Sequence, residues 1–506
     1  MKANTLAYLW TLIACLGLAC EQASDQPPVK PPNIIWLMAE DIGQDLACYG
    51  VPALQTPVLD QLAAEGIRYT QCYSTNPICS PNRSAMMLGI HQNVTNTQHH
   101  RSYRKNPLEN PYAPITHYLR EAGYQCVLGN SLVRGKGMKT DVNFLNQKWG
   151  TWEGEEKGGL FDTIVDFSSV QEPFFAQIQL AVTHRGDWWQ DIHAQSDDPV
   201  DPSAVELPPY MADHPLVRED WARYLDQIEY MDAEVGALMA SLKENGLDDN
   251  TIVIFIGDNG RCNIRGKGYL YQPGIQIPLI VWGPGVDSGV VSERLVDVTD
   301  ISASILDLAG AERPSHLTGI PFIGRDDLAP KPFVYAARDL WDEVLERSRS
   351  VTDGRYKYIR HYIPEQPFDV QQAYLEFYRP AVHIMRQLNS EGNLNPIQAH
   401  FFAPTKPAEE FFDLKSDPHE TVNLINEPAY QAEVKRMQGY VRQWQSEHHD
   451  NGLDPIVWDQ MVDASSVQLL NWVKEEHPEV IAQMKAGEEP GFSKWMKAFR
   501  AAEKQN

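Results

Sequence analysis

At 506 residues, 43% of them hydrophobic, the chain can bury a large core, and a length prior of about three domains is the starting point. Its 68 acidic and 43 basic side chains leave a formal charge of −25, which excludes nucleic acid and anionic membrane surfaces as partners. Apolar strand-length runs alternate with helix-like periodicity, so the expectation is one large α/β domain with a smaller appendage.

In chain order, Lys2 and the apolar run 7–19 read as a secretory signal, too short to span a bilayer. Leu12-Ile13-Ala14-Cys15 fits a bacterial lipoprotein cleavage pattern and Cys20 precedes a polar tail, so lipidation at either cysteine and simple cleavage near Ala19 all stay open. The expected location is therefore beyond the inner membrane, in the periplasm or as an anchored lipoprotein, with that lipid anchor the only membrane contact. Residues 1–20 form the signal and the Pro-rich 21–32 a linker. Asn33-Ile34-Ile35-Trp36-Leu37-Met38 reads as a strand, and Glu40-Asp41 sits just beyond its carboxyl end. Thr56 to Gly66 has the capping residue, first-turn Pro and terminal Gly of a helix.

Next comes Cys79-Ser80-Pro81-Asn82-Arg83, closed by Gly89, and then Gln98-His99-His100-Arg101. Residues 130–138, containing Arg134 and Lys136, read as a local insertion before Lys139-Thr140-Asp141-Val142-Asn143-Phe144. The Gly-rich stretch 154–159 lacks the spacing of a phosphate-binding loop. A strand-like run over 174–182 leads to His184-Arg185, and a helical stripe of Ala222, Leu225, Ile228, Met231, Val235, Leu238 and Leu242 predicts a helix over 219–245. The run 251–256 repeats the first arrangement, ending in Asp258-Asn259, and Lys267 follows in a loop. Four oxygen ligands at two strand ends suit Ca²⁺ or Mg²⁺, and no Cys/His cluster has zinc spacing.

Composition changes near Glu346. Arg347 to Tyr362 reads as two strands around Asp353-Gly354, and residues from about 454 onward are helical, with Trp472 and Trp495 expected to be packing residues. The predicted division is a catalytic domain over 33–345, a subdomain over 346–450 and a helical extension over 451–506. Five cysteines outside the signal, Cys48, Cys72, Cys79, Cys126 and Cys262, leave room for up to two disulfides if Cys79 is otherwise used.

The pattern Cys79-x-Pro81-x-Arg83 resembles the segment at which sulfatases convert a cysteine to formylglycine, whose hydrated aldehyde offers one oxygen to attack sulfur and another to expel sulfate. The resemblance runs from about Pro32 to about Leu424 and implies an alkaline-phosphatase-like fold: α/β, a large mixed β-sheet sandwiched by helices, with a smaller C-terminal antiparallel sheet. It implies further that Glu40, Asp41, Asp258 and Asn259 bind Ca²⁺, or Mg²⁺, together with the oxygen derived from Cys79. Glu40 stands where the family more often has Asp. Arg83, Lys139 and Lys267 would bind the sulfate, with Lys136 the alternative lysine, and His184 would protonate the leaving oxygen.

Most sulfatases have Gly-Lys-x-His where this chain has Lys139-Thr140-Asp141, so Asp141 replaces the usual histidine and His99 or His100 is the candidate substitute. Arg101 and Arg338, and the aromatic loops Trp188-Trp189 and Arg338 to Trp341, are candidate carbohydrate contacts. Because the net charge repels a polyanion, basic residues must gather at the mouth; Arg101, Arg104, Arg185, Arg338 and Arg360 are the candidates. The branch looks related to heparan N-sulfatases and to sulfatases of ulvan or carrageenan. The implied partners are a sulfated carbohydrate and, during maturation, a formylglycine-generating enzyme. Competing readings are a phosphate mono- or diester hydrolase of the same superfamily and an inactive glycan-binding surface lipoprotein; too few of the 15 histidines fall at strand ends for a two-zinc site.

Overall fold

The computed structural model describes residues 30–506 except 53, 103, 131–137, 152–158, 187, 343, 456–464 and 504–506. The signal, the linker up to residue 29 and the insertion with Lys136 lie outside the described residues. The strands are β1 (Asn33–Ala39), β2 (Ile67–Tyr69), β3 (Cys72–Tyr73), β4 (Gln125–Asn130), β5 (Thr163–Ile164), β6 (Phe174–Leu180), β7 (Thr251–Gly257), β8 (Leu279–Trp282), β9 (Val290–Ser292), β10 (Val296–Asp297), β11 (Val334–Arg338), β12 (Ser348–Thr352), β13 (Tyr356–His361) and β14 (Glu409–Asp413).

The main sheet runs β5-β4-β6-β1-β7-β8-β2-β9. Strand β1 lies at its centre, parallel to both β6 and β7, while β8 is antiparallel to β7 and β2, so the sheet is mixed. β1, β6 and β7 are buried along their whole length. That explains their unbroken apolar runs, since a strand covered on both faces has no polar side to present. Side chains alternate between faces: Ile35 and Leu37 join one core, Ile34, Trp36 and Met38 the other. The helices Pro57–Glu65 and Pro215–Glu244 cover the first core, and Cys79–Leu88, Ile115–Glu121 and Val298–Leu308 cover the second. This is the expected α/β sandwich.

The helix read from Thr56 to Gly66 forms over Pro57–Glu65, but its ends are built differently from the expectation. Thr56 makes no side-chain cap; its hydroxyl accepts from Ala47 N at 3.1 Å and pairs with Asp60. Asp232 of the long helix takes over, accepting from Val58 N at 3.0 Å and Leu59 N at 2.8 Å. Gly66 has φ −135°, outside the left-handed region, and its small size serves close approach: a Cβ there would lie 2.2 Å from the Val281 carbonyl oxygen.

A second sheet, β11-β12-β13-β14, is antiparallel throughout, with the helix Gln431–Glu447 packed on it. The hairpin turns at Asp353-Gly354, where Gly354 has φ 91°. This sheet begins at Val334, upstream of the Glu346 composition boundary; β11 is short and wholly buried and shows no alternation to announce it. The extension forms the helices Ser465–Glu476, Pro478–Lys485 and Phe492–Glu503, and Trp472 and Trp495 pack with ring centroids 6.0 Å apart. Cys48, Cys72, Cys79, Cys126 and Cys262 are all free, so the two disulfides allowed by the count are not formed. Among the described residues no helix is long and apolar enough to cross a membrane.

Candidate active site

The parallel strands β1, β6 and β7 deliver their carboxyl ends to one edge of the sheet, where loops can turn side chains inward. Glu40 and Asp41 follow β1, Asp258 and Asn259 follow β7, and His184 follows β6. Asp41 sits in the left-handed region at φ 54°, a strained conformation for a non-glycine residue, and its backbone N–H donates to Asp258 Oδ1 at 3.0 Å.

Cys79 opens the helix Cys79–Leu88, every residue of which is buried. Its Sγ lies 3.8 Å from Asp41 Oδ1, and single ligand atoms of Asp41, Cys79 and Asp258 fall within 4.8 Å of one another. Burial, reinforced by the Asp258 carboxylate, pushes the thiol far above its ordinary pKa, so an unmodified Cys79 stays protonated. Asn82 fixes the turn beneath it, donating to the Asp258 carbonyl at 2.5 Å and accepting from Thr75 N at 3.0 Å. Sequence reasoning passed over Asn82, although it stands inside the Cys79 motif.

Cations surround the carboxylates. Arg83 Nε donates to Asp258 Oδ2 at 3.0 Å and its Nη2 lies 3.7 Å from Glu40 Oε1. Lys139 Nζ is 3.1 Å from Glu40 and 3.2 Å from Asp141, and Lys267 Nζ is 2.6 Å from Asp41. Burial alone would raise the Glu40 and Asp41 carboxyls, but Lys139, His184 and Arg83 outweigh it at Glu40, and Lys267 and His184 outweigh it at Asp41, so both are held below the usual range. At Asp258 burial wins over Arg83, and the carboxyl is raised.

Burial is the main cause of that rise, and Glu40 and Asp41 add to it. Asp41 Oδ2 and Asn259 Oδ1 are also buried without a hydrogen-bond partner. An oxygen-only donor set with two orphaned acceptors fits a hard divalent cation. Asn259 joins Asp41 and Asp258 by donating its Nδ2 to Asp41 Oδ1 at 3.0 Å, and Glu40 is tied to Asp258 through Arg83.

His184 Nε2 lies 3.6 Å from Glu40 Oε2, and burial lowers its pKa to about 4 despite Glu40 and Asp41 pulling upward. Its ring is flanked by Trp188 at 6.5 Å and Tyr374 at 5.6 Å. Asp141 does reach the site, but Lys139, Arg101 and Arg104 all pair with it. Against the cost of burial they hold its carboxyl well below the usual range, led by Arg101. It therefore presents two guanidinium groups, 43% and 45% exposed, rather than its own oxygens.

Of the two histidines, His99 is buried and accepts from Leu340 N at 3.4 Å, which makes it a loop prop. His100 is buried with Nε2 3.8 Å from Asp342. Arg338 is not brought to the site: it ends the wholly buried β11, stacks 4.9 Å over the Tyr269 ring and faces Glu346. Arg185 is likewise buried, paired with Asp220 and Glu489. Of the basic residues proposed for the mouth, Arg101 and Arg104 are held beside Lys139 through Asp141, whereas Arg360 is exposed on β13 over the Tyr362 ring. In the aromatic loops, Trp189 and Trp341 are buried and Trp188 is half-buried.

A mixed sheet flanked by helices, with a separate antiparallel sheet, is the fold shared with the phosphonate monoester hydrolase of Agrobacterium radiobacter, which superimposes with a TM-score of 0.60 at 16% identity, covering 83% of this chain and 97% of that one. Residues 32–311 match the sulfatase family, and the chain belongs to that family. It is a sulfuric ester hydrolase. An ulvan-active sulfatase of Formosa agariphila is 29% identical over 463 residues, covering 84% of this chain and 76% of the relative. The N-sulphoglucosamine sulphohydrolase of Homo sapiens is 24% identical over 470 residues, covering 83% and 91%. Both fall in the branch that the sequence resembles.

Proposed function

We propose that the enzyme removes sulfate from a sulfated polysaccharide or its oligosaccharides, with Cys79 matured to formylglycine and one divalent cation, Ca²⁺ or else Mg²⁺, held by Glu40, Asp41, Asp258 and Asn259. The observation that carries this reading is the pair of orphaned oxygens, Asp41 Oδ2 and Asn259 Oδ1, beside a buried cysteine and between Lys139, Lys267 and Arg83. When bound, the cation supplies positive charge to the sulfate oxygens, and formylglycine supplies the attacking oxygen. Conversion of Cys79 calls for a formylglycine-generating partner, and the secretory reading of 1–20 places the mature enzyme beyond the inner membrane, in the periplasm or on a lipid anchor.

The chain's own groups do the rest. Lys139 pairs with two carboxylates and Lys267 with one, which leaves each an N–H for sulfate oxygens, so they grip the anion where charge grows in the transition state. His184 is neutral near pH 7 in the free protein, and an incoming sulfate ester, being anionic, raises its affinity for the proton it then holds at Nε2 for the leaving oxygen. Arg101 and Arg104 give a protein of charge −25 a local cationic mouth for an anionic glycan.

The experiment that tests the class of substrate is a panel of sulfated oligosaccharides set against phosphate esters; sulfate release from the saccharides is the expected result, and turnover confined to phosphate esters would overturn the reading. A second expected outcome separates the roles. His184→Ala should cost about 10²–10⁴-fold in kcat on a sulfated sugar and far less on an aryl sulfate, whose phenolate departs unaided. Lys267→Ala should harm both equally, because both carry the same sulfate. Equal damage by His184→Ala on the two substrates would reassign that residue to sulfate binding.

A further inference from the structure

The C-terminal extension carries no motif, yet its packing leads to the active site. The short helix Ala373–Tyr378 has two apolar faces. Ala373, Phe377 and Tyr378 join Leu469, Leu470, Val473, Val480, Met484 and Phe499 of the extension in one hydrophobic cluster. Leu375 turns the other way, into a cluster with Ile78, Cys262 and Trp341, and Ile78 is the residue that immediately precedes Cys79. Tyr374 touches both clusters.

Its position is over-determined. The Tyr374 hydroxyl donates to the Arg185 carbonyl at 2.8 Å, and the ring meets Phe492 of the extension edge-on at 5.9 Å and Tyr378 at 5.1 Å. Below that carbonyl, the buried Arg185 guanidinium pairs with Glu489 of the extension at 3.1 Å. Held in this way, the Tyr374 ring stands 5.6 Å from His184 and has Lys267 Nζ 5.8 Å over it. Trp188 stands on His184 as well, at 6.5 Å, its indole N–H tied to the Val182 carbonyl at 2.9 Å. Both rings are half-buried, whereas Trp189 and Trp341 nearby are closed off.

We propose that Tyr374 and Trp188 are specificity-determining residues of the sulfatase site, two fixed aromatic surfaces against which the sugar ring bearing the sulfate packs, and that the C-terminal extension belongs to the active site because it holds Tyr374 there. The inference rests on the reading of His184 as the group beside the leaving oxygen. The sugar is the leaving group, so its ring must lie on the His184 side of the sulfate. An aromatic face offers an apolar body for the C–H face of a pyranose, and a locked ring does so without further loss of rotamer freedom.

The test uses the full, matured enzyme with a sulfated oligosaccharide, and reads KM, kcat and inhibition by inorganic sulfate. Tyr374→Leu keeps apolar volume against Phe492 and Leu375 but removes the face; KM should rise about tenfold, the scale of one aromatic contact, while the Ki of inorganic sulfate stays unchanged. Tyr374→Phe keeps the face and should leave KM within about threefold. Trp188→Leu lies outside the extension's cluster and should raise KM as Tyr374→Leu does, which keeps the test alive if Tyr374→Leu does not fold. Unchanged KM in the Leu variants, or a Ki for sulfate that rises in step with KM, overturns the proposal. A wild-type enzyme that releases sulfate from no saccharide overturns the carbohydrate reading instead, and this proposal falls with it.

Discussion

Cys79→Ser, produced in a host that matures only cysteine, is expected to fold normally and to lose sulfate release by on the order of 10³-fold or more. Serine differs from cysteine by one atom, and the site already encloses that atom in a buried helix start 3.8 Å from Asp41, so no packing is lost. What is lost is the maturation target. The unmodified thiol is itself no substitute: burial and Asp258 push its pKa up, and a protonated thiol is a poor nucleophile. The check is the mass of the tryptic peptide that spans Cys79, measured beside activity. Wild-type enzyme should show the fixed mass loss of thiol-to-aldehyde conversion in proportion to its specific activity, and the Ser variant should show neither. Full turnover by Cys79→Ser would remove Cys79 from the mechanism.

The parts of the site legible in the sequence are those in which local chain geometry and chemistry coincide. Glu40-Asp41 and Asp258-Asn259 each follow an apolar strand buried on both faces, so their places at strand ends were legible from pattern, while their joining in one site was implied by the resemblance to sulfatases. The Cys79 motif was legible because Cys79-x-Pro81-x-Arg83 resembles the segment that sulfatases modify. Roles set by distant packing were not. Arg338 looked like a mouth residue because an arginine near an aromatic loop suits a glycan, yet it closes a strand whose every residue is buried. Asp141 stands where most sulfatases have a histidine, and it becomes an anchor once Arg101 and Arg104 fold onto it. Thr56 has the chemistry of a cap, but Asp232 arrives from another helix and satisfies the same N–H groups. Tyr374 has no signal at all: its place beside His184 is decided by helices near the end of the chain.

Removal of the divalent cation is expected to abolish turnover, and Asp258→Asn to reproduce that loss without chelation. The site gathers Glu40, Asp41 and Asp258 in a fully buried space, and although Arg83, Lys139 and Lys267 pair with them, the Asp258 carboxyl is still raised by burial and by its two acidic neighbours. Three buried carboxylates this close are tolerated only with compensating charge, and Asp41 Oδ2 and Asn259 Oδ1 are already aimed without partners. If the cation stabilises developing charge on the sulfate, its loss costs several kcal/mol in the transition state, on the order of 10³-fold in kcat/KM. Its binding should also stabilise the fold, by about 2.7 kcal/mol when the free ion is a hundred times its Kd. The two effects make a crossed test. Adding Ca²⁺ to chelated wild-type enzyme should restore activity and raise Tm together; Asp258→Asn should show neither response, because the replacement removes one carboxylate charge and leaves an amide nitrogen among donors from Arg83 and Asp41. A raised Tm without restored activity would mean that the ion is structural. Unimpaired turnover after exhaustive chelation would mean that the lysines and Arg83 carry the sulfate unaided, and that the carboxylates serve only to hold those cations in place.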